Sequence, residues 1–407
     1  MKKNLLISML IAASAFLLCS CTIAFTNTGT QAENKTEPVI AEGLPGFEAE
    51  GSTDLPGNFF LSFVYSRNLI MLDGRGNIVW SKHEEQPSEG ALTGLWDFKK
   101  HDIDGKTFYS YHDNTGAYDD YGLQGFAPGE RVIMDENFNE INRITFEESE
   151  VVEKGHPLDG HDFLMISPDH YIMSGYIKET VKNIPDHDSA SVVGSYLQEV
   201  KDGNVVWDFH STDYPELYGY TVTDASETAD DFANEETDVP DYVHFNSMRL
   251  DGDGNLVCSF RHINSILCLD RSKNEDQILW RLSGAGDEFG LSEMQKTSGQ
   301  HYATVDGSRI TVFDNNNKNG ATRISTYAID PAEKKLEFFK TYMPGGKFSR
   351  ACGDVQHIKD ELYMIGWGMT VNDNNCMSVF DFSTGDELFT VKLENPKNCT
   401  YRCVYYE

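Results

Sequence analysis

Short apolar runs separated by clusters of Gly, Asp and Asn recur along most of the chain. The clearest set is "HFNSMRL", the turn "DGDGN", "LVCSFRH", "SILCLD" and, after another turn, "QILWRL". Runs rich in β-branched and aromatic residues between such turns predict strands paired as antiparallel hairpins. The preceding set reads "HDFLMIS", "HYIMSGYI", "SYLQEV", "NVVWDFH", and the following one "HYATV", "RITVFDN", "ISTYAID", "KLEFFKTY". A further copy runs "DVQHI", "ELYMIGW", "MSVFDF", "ELFTVKL", and an earlier one starts "LWDFKK", "TFYSYHD", "RVIMDEN". Near the N-terminus "FFLSFVYS", "LIMLD" and "NIVW" form three strands that lack a first one, which the terminal "YRCVYY" can supply. Six repeats and a strand that closes the ring predict an all-β fold, a six-bladed β-propeller of four-stranded antiparallel blades. A pair of β-sandwiches or a solenoid gives that last strand no role.

Upstream of the repeats the pattern changes. Lys2 and Lys3 precede an apolar run from Leu5 to Leu18 and then Leu18-Cys19-Ser20-Cys21. This predicts a lipoprotein signal peptide over residues 1–20, lipidation at Cys21, a flexible tether over 21–42 and the propeller over 43–407. The apolar run is short for a bilayer span. The expected location is therefore outside the cytoplasm, on a membrane reached only through the lipid anchor. Without residues 1–20 the chain loses two of its 33 basic side chains and none of its 65 acidic ones, leaving a net charge of -34. No basic stripe exists to displace phosphate counterions, so nucleic acid is not an expected partner. The stretch 211–241 is rich in carboxylates and reads as a solvated loop, with a lid as the alternative. Past Cys21 six cysteines remain, without a paired CxxC signature.

In a propeller the first strand of each blade lines the central channel, so equivalent positions converge on one mouth. His161, His244 and His301 each open a first strand, in three successive blades. An antiparallel hairpin returns to its starting end, which brings Arg261 and His262 back beside His244 and Asn246, Asn315 beside His301, and Tyr176 beside His161. Tyr111, His112 and Trp367 are expected on the same rim, with Asp162 and Asp97 as the few carboxylates. Imidazoles, an arginine fork, an amide and aromatic faces together suit an oxyanion that carries an aromatic group.

The segments "DGHDF", "VHFNSM", "GNLVCSFRHINSILCLD", "ILWRLSG", "SGQHYATV" and "ITVFDNN" stand in an order that resembles the bacterial arylsulfate sulfotransferase family, over roughly residues 90 to 370. The resemblance implies transfer of a sulfuryl group from a phenolic sulfate ester to another phenol through a sulfated histidine, without an adenylyl-sulfate cofactor. By position it makes His301 the nucleophile and His244, Asn246 and Arg261 the sulfate-holding residues, with His161 as the proton carrier. Substrate contacts are then expected from His262, Asn315, Tyr176 and Trp367. The chain departs from the family pattern at Tyr302, at Ser283-Gly284, at Asn316, and in having no cysteine between 284 and 300. These changes bear on acceptor range and on what stiffens the loop before His301, less on the sulfate pocket.

Two other readings compete with this one. A propeller that binds an anion or sugar without turnover has no need of His301. A metal enzyme built on His161, His244 and His301 places a cation beside Arg261 and calls for carboxylate partners that the sequence does not make apparent. No metal or cofactor is expected. "DGDGN" starts like a calcium loop, but His262 stands where that loop carries its glutamate, which favours a plain turn. The expected partners are small: an aryl sulfate donor and a phenol acceptor. A homodimer is compatible with the sequence.

Overall fold

A computed structural model describes residues 40–89, 91–116, 125–185, 187–222, 241–395 and 397–407. The expected signal segment, Cys21 and most of the tether lie outside these residues, as does 223–240 of the acidic stretch. No helix among the described residues is long and apolar enough to cross a membrane.

The described chain is a six-bladed β-propeller. After β1 (Phe47–Gly51), blade I contains β2 (Asn58–Phe63), β3 (Asn68–Leu72) and β4 (Ile78–His83). Blade II follows with β5 (Leu95–Ile103), β6 (Lys106–Asn114), β7 (Pro128–Met134) and β8 (Glu140–Ile144), and the two-residue β9 (Leu158–Asp159) pairs with β7. Blade III is β10 (Phe163–Ser167), β11 (His170–Val181), β12 (Ala190–Lys201) and β13 (Asn204–His210). Blade IV is β14 (Phe245–Leu250), β15 (Leu256–Phe260), β16 (Ser265–Leu269) and β17 (Ile278–Leu282). Blade V is β18 (Tyr302–Asp306), β19 (Arg309–Asp314), β20 (Arg323–Asp330) and β21 (Lys335–Tyr342). Blade VI is β22 (Asp354–Lys359), β23 (Leu362–Gly366), β24 (Asn375–Asp381) and β25 (Asp386–Leu393). The last strand, β26 (Thr400–Tyr406), pairs antiparallel with β2 and becomes the innermost strand of blade I, so the two ends of the repeat share one sheet.

Middle strands such as β3, β15 and β16 are buried along their whole length, because a neighbouring blade covers each face. Their continuous apolar runs follow from that two-sided burial. Outer strands such as β8 are largely exposed. An apolar cluster fills every blade-to-blade contact, as Phe59, Leu61, Met364 and Val379 do where blade VI meets blade I. Each fully buried Leu, Val or Phe there contributes roughly 1.5–3 kcal/mol. The sequence reading did not anticipate β1. It adds to the outer edge of blade VI through β25 and is mostly exposed, so it carries no apolar alternation to reveal it.

The turn "DGDGN" is closed by Asp251, whose Oδ1 accepts the N–H groups of Asp253 (2.9 Å) and Asn255 (2.8 Å). Asp73 and Asp135 close turns in blades I and II in the same way.

Charged side chains from four blades meet in one buried network. Asp97 accepts from Arg131 (2.9 Å) and Arg402 (2.7 Å), and Asp162 pairs with Lys99 and with Arg249 (3.0 Å). The guanidinium groups of Arg249 and Arg402 both lie 4.5 Å from the centre of the Tyr302 ring. Burial drives Lys99 down to about 8, against the opposing pull of Asp162 and Asp97. Burial acts on Asp354, from blade VI, in the other direction and raises its carboxyl to about 7. Asp97 and Asp162, read from the sequence as rim carboxylates, belong to this network.

Candidate active site

Blade IV begins with a backbone irregularity. His244, immediately before β14, has φ +50°, a left-handed conformation that is uncommon outside glycine. The kink stands at the entry to the strand, where the imidazole meets those of His161 and His262. The return strand β15 ends at Phe260, earlier than the sequence reading placed it. Arg261 and His262 instead occupy a 3₁₀ turn closed by left-handed Asn264 (φ +53°). That turn is tied back to the strand start, since Arg261 N–H donates to His244 O (2.8 Å) and His262 N–H to Val243 O (3.0 Å). The hairpin therefore brings Arg261 and His262 beside His244.

The imidazoles of His161 and His244 meet at 4.8 Å between centroids, edge to face. His262 stacks on His244 at 4.6 Å, and Tyr176 stacks on it at 5.4 Å. Phe126 contacts Tyr176 at 4.6 Å. Trp96 and Tyr401, themselves stacked at 4.3 Å, both present their rings to His161. His301 joins the group electrostatically: after burial, Arg261 is the largest influence holding it well below 6.5, and His244 and His161 act the same way.

Hydrogen bonds fix which nitrogen of each ring carries its proton. His301 Nδ1 lies 2.8 Å from Asn315 Oδ1 and 3.2 Å from Gly299 O. The Asn315 amide cannot be reversed, because its Nδ2 donates to Ser349 O (2.9 Å) and Cys352 O (3.2 Å). His301 Nδ1 is therefore the N–H, and Nε2 is a bare lone pair. His262 Nδ1 donates to Asp241 O (2.5 Å), so its Nε2 accepts from Arg261 Nη1 (2.8 Å) and steers the guanidinium. Burial lowers His262 to about 3, consistent with a ring that stays neutral.

Two carboxylates that the sequence reading missed stand behind the other histidines. Asp159 Oδ1 accepts from His161 Nδ1 and from the His161 backbone N–H (3.0 Å). Burial opposes its ionisation, yet His161 and the Ala127 N–H hold it below the usual carboxylate range. Asp241 Oδ2 lies 2.5 Å from His244 Nδ1, and here burial prevails and raises the carboxyl to about 6. The signal was present in "LDGHDF" and "DYVHF", an acid two or three residues before each histidine.

The loop before His301 is held by blade IV. Asn264 Oδ1 accepts from Gly299 N–H (2.7 Å), Gln300 Nε2 donates to Phe260 O (3.0 Å), and Thr297 Oγ1 donates to Asn264 O (2.9 Å). Asn246 Nδ2 donates to Gln300 O (2.7 Å), and its buried Oδ1 has no hydrogen-bond partner among the described residues. One amide N–H of Asn246 is thus spent on the His301 loop. These bonds stiffen the loop without a disulfide.

Two rim expectations, Trp367 and Tyr111, are corrected by the packing, while the His112 ring lies against Gly160, next to His161. Trp367 lies in the apolar cluster between blades V and VI, with its indole N–H on Ser378 Oγ (2.8 Å). Tyr111 lies in the cluster between blades I and II, and buried His112 bonds Ala127 O (2.6 Å). Strand alternation turns the two aromatic rings into blade interfaces.

Ligand-type atoms of Asp241, His244 and His262 come within 4.8 Å of one another. Both rings direct Nδ1 at Asp241 as a donor, and Arg261 docks on His262. In this hydrogen-bond network Nδ1 of both rings and Nε2 of His262 are already committed.

Residues 117–372 match the family model described as Arylsulfotransferase (ASST). No curated protein matches the chain. Among solved structures, a protein of unknown function from Bacteroides caccae is similar over 87% of this chain and 100% of its own, at 10% identity and a TM-score of 0.47. A Lactobacillus plantarum protein aligns over 86% of this chain and 99% of its own, at 9% identity and a TM-score of 0.44. Virginiamycin B lyase from Staphylococcus aureus aligns over 86% and 99%, at 7% identity and a TM-score of 0.35.

Proposed function

The chain belongs to the arylsulfotransferase family, and from that premise we propose that it moves a sulfuryl group from a phenolic sulfate ester to a phenolic acceptor in two steps, through a sulfated His301 and without an adenylyl-sulfate cofactor. The observation that carries the reading is the fixed tautomer of His301: Asn315 accepts at Nδ1 and leaves Nε2 as a lone pair close to the charge of Arg261. An amide suits this position better than a carboxylate. It orients the ring and accepts its N–H without drawing a second proton onto the nucleophile.

In the first step His301 Nε2 attacks sulfur and the bond from sulfur to the aryl oxygen breaks. That oxygen leaves with the bonding pair and takes a proton from His161 Nε2. Asp159, bonded at Nδ1, steadies the charged form of His161. As in phosphoryl transfer, negative charge spreads over three equatorial oxygens. Arg261 and the second N–H of Asn246 are the donors for them. Loss of one such donor typically lowers the rate about 10²–10³-fold. In the second step His161 takes the proton of the acceptor phenol, the phenolate oxygen attacks sulfur, and the N–S pair returns to His301. Trp96, Tyr176, Phe126 and Tyr401 supply aromatic surface for the rings of both substrates.

Incubation with p-nitrophenyl sulfate, with and without phenol, tests the reading. Release of p-nitrophenol that depends on phenol, with phenyl sulfate formed in equal amount, is expected. Equal release without an acceptor makes the protein a hydrolase instead.

A lipid-anchored location outside the cytoplasm remains part of the proposal. It is supported by the Lys2-Lys3 start, the apolar run and Cys21.

A further inference from the structure

His244 and Asp241 raise a question of proton count. With Asp241 ionised and accepting His244 Nδ1–H, the neutral ring has a lone pair at Nε2. A lone pair repels a sulfate oxygen. If the pair holds one more proton, Nε2 carries N–H in either arrangement, whether the proton sits on the ring or on the carboxyl with O–H donated to Nδ1.

We infer that Asp241 is a positioning residue that makes anion binding proton-linked: the Asp241–His244 pair takes up one proton when a sulfate group docks against His244 Nε2. The inference rests on the sulfate-pocket reading above. Its geometric basis is the 2.5 Å contact between Asp241 Oδ2 and His244 Nδ1, together with Asp241 Oδ1, which is buried and has no hydrogen-bond partner among the described residues.

The surroundings set the direction. The groups facing His244 are His161 and Tyr176 from blade III, Arg261 and His262 from the 3₁₀ turn, and, at longer range, Asp159 and His301. Burial, then His161 and Arg261, keep the resting His244 well below 6.5, while burial raises Asp241 to about 6. Above pH 6 the resting pair therefore lacks the extra proton. A bound anion adds negative charge at Nε2 and stabilises the protonated pair, so protons and anion favour one another's binding. Affinity is fullest below about pH 6 and falls as pH rises above it. His262 and His301 stay neutral through this window.

Titration calorimetry of the full chain with inorganic sulfate, in buffers of different ionisation enthalpy, counts the protons. The expected uptake is about one at pH 8 and near zero below pH 5, with affinity falling about tenfold per pH unit above neutrality. Asp241→Asn gives the sharper result. Its amide N–H donates to His244 Nδ1 and fixes Nε2 as N–H, while the main-chain bond from His262 to residue 241 survives. The variant is expected to bind sulfate about as well as the parent at pH 6, with no proton uptake and no pH slope. Zero uptake by the parent at pH 8, or an unchanged slope in Asp241→Asn, overturns the inference. So does failure of the parent to bind sulfate at pH 6. Sulfate binding requires no turnover, so proton linkage in a protein that transfers no sulfuryl group leaves this inference standing and removes the transfer reading alone.

Discussion

Replacing Asn315 by Asp tests the tautomer argument with almost no change in shape. One oxygen of the new carboxylate still faces His301 Nδ1, 2.8 Å away in the parent. The other replaces the amide nitrogen that donates to Ser349 O and Cys352 O, turning two buried hydrogen bonds into contacts between acceptors. At about 1–3 kcal/mol for each buried group left unsatisfied, the variant loses roughly 2–6 kcal/mol of stability. The chemical effect is separate from this loss. An opposite charge at hydrogen-bond distance raises an imidazole by about 1–3 pH units, and each unit corresponds to about 1.4 kcal/mol. His301, held well below 6.5 in the parent, then binds a proton nearer neutrality and loses the lone pair that attacks sulfur. The protonated form is inactive, so activity falls as pH drops through the raised value. Stopped assays of p-nitrophenol release with excess phenol, from pH 5 to 9, are expected to show an acid limb in Asn315→Asp that lies at higher pH than any in the parent. A thermal melt monitors the lost hydrogen bonds. A profile parallel to the parent's at full rate refutes the claim that the nucleophile needs an uncharged partner at Nδ1.

His161→Gln removes the proton donor and is expected to slow poor leaving groups more than good ones. Phenyl sulfate should lose about 10²–10⁴-fold and p-nitrophenyl sulfate much less, and an equal loss on both assigns His161 another role. Arg261→Lys is expected to lower kcat/KM about 10²-fold or more, because an ammonium cannot both meet His262 Nε2 and present a planar fork to the sulfate. Steady-state kinetics within a few fold of the parent's remove Arg261 from the oxyanion site.

The fold was legible because each blade repeats one pattern and because the chain ends on a strand that no other unit needs. Hairpin geometry likewise foretold that Arg261, Asn315 and Tyr176 return beside His244, His301 and His161, since an antiparallel return depends only on strand length. The same logic failed for Trp367 and Tyr111. Hairpin return gives the end of a blade a residue reaches, while the pleat decides which face it takes, and both rings turn into blade interfaces. Asp159 and Asp241 were legible in principle as acids just ahead of their histidines, but a carboxylate in a strongly acidic chain attracts no notice until its partner is seen. The network of Asp97, Asp162, Lys99, Arg131, Arg249 and Arg402 was not legible, because it joins side chains from four blades that share no local spacing.

The most direct test of the central claim is to quench the protein after mixing with an aryl sulfate alone and to locate the added group by fragmenting the chain in a mass spectrometer. One SO₃ is expected on His301, absent from His301→Ala and discharged by phenol. Rapid turnover with no sulfuryl group on the protein, or with the group on another residue, rules out His301 as the nucleophile.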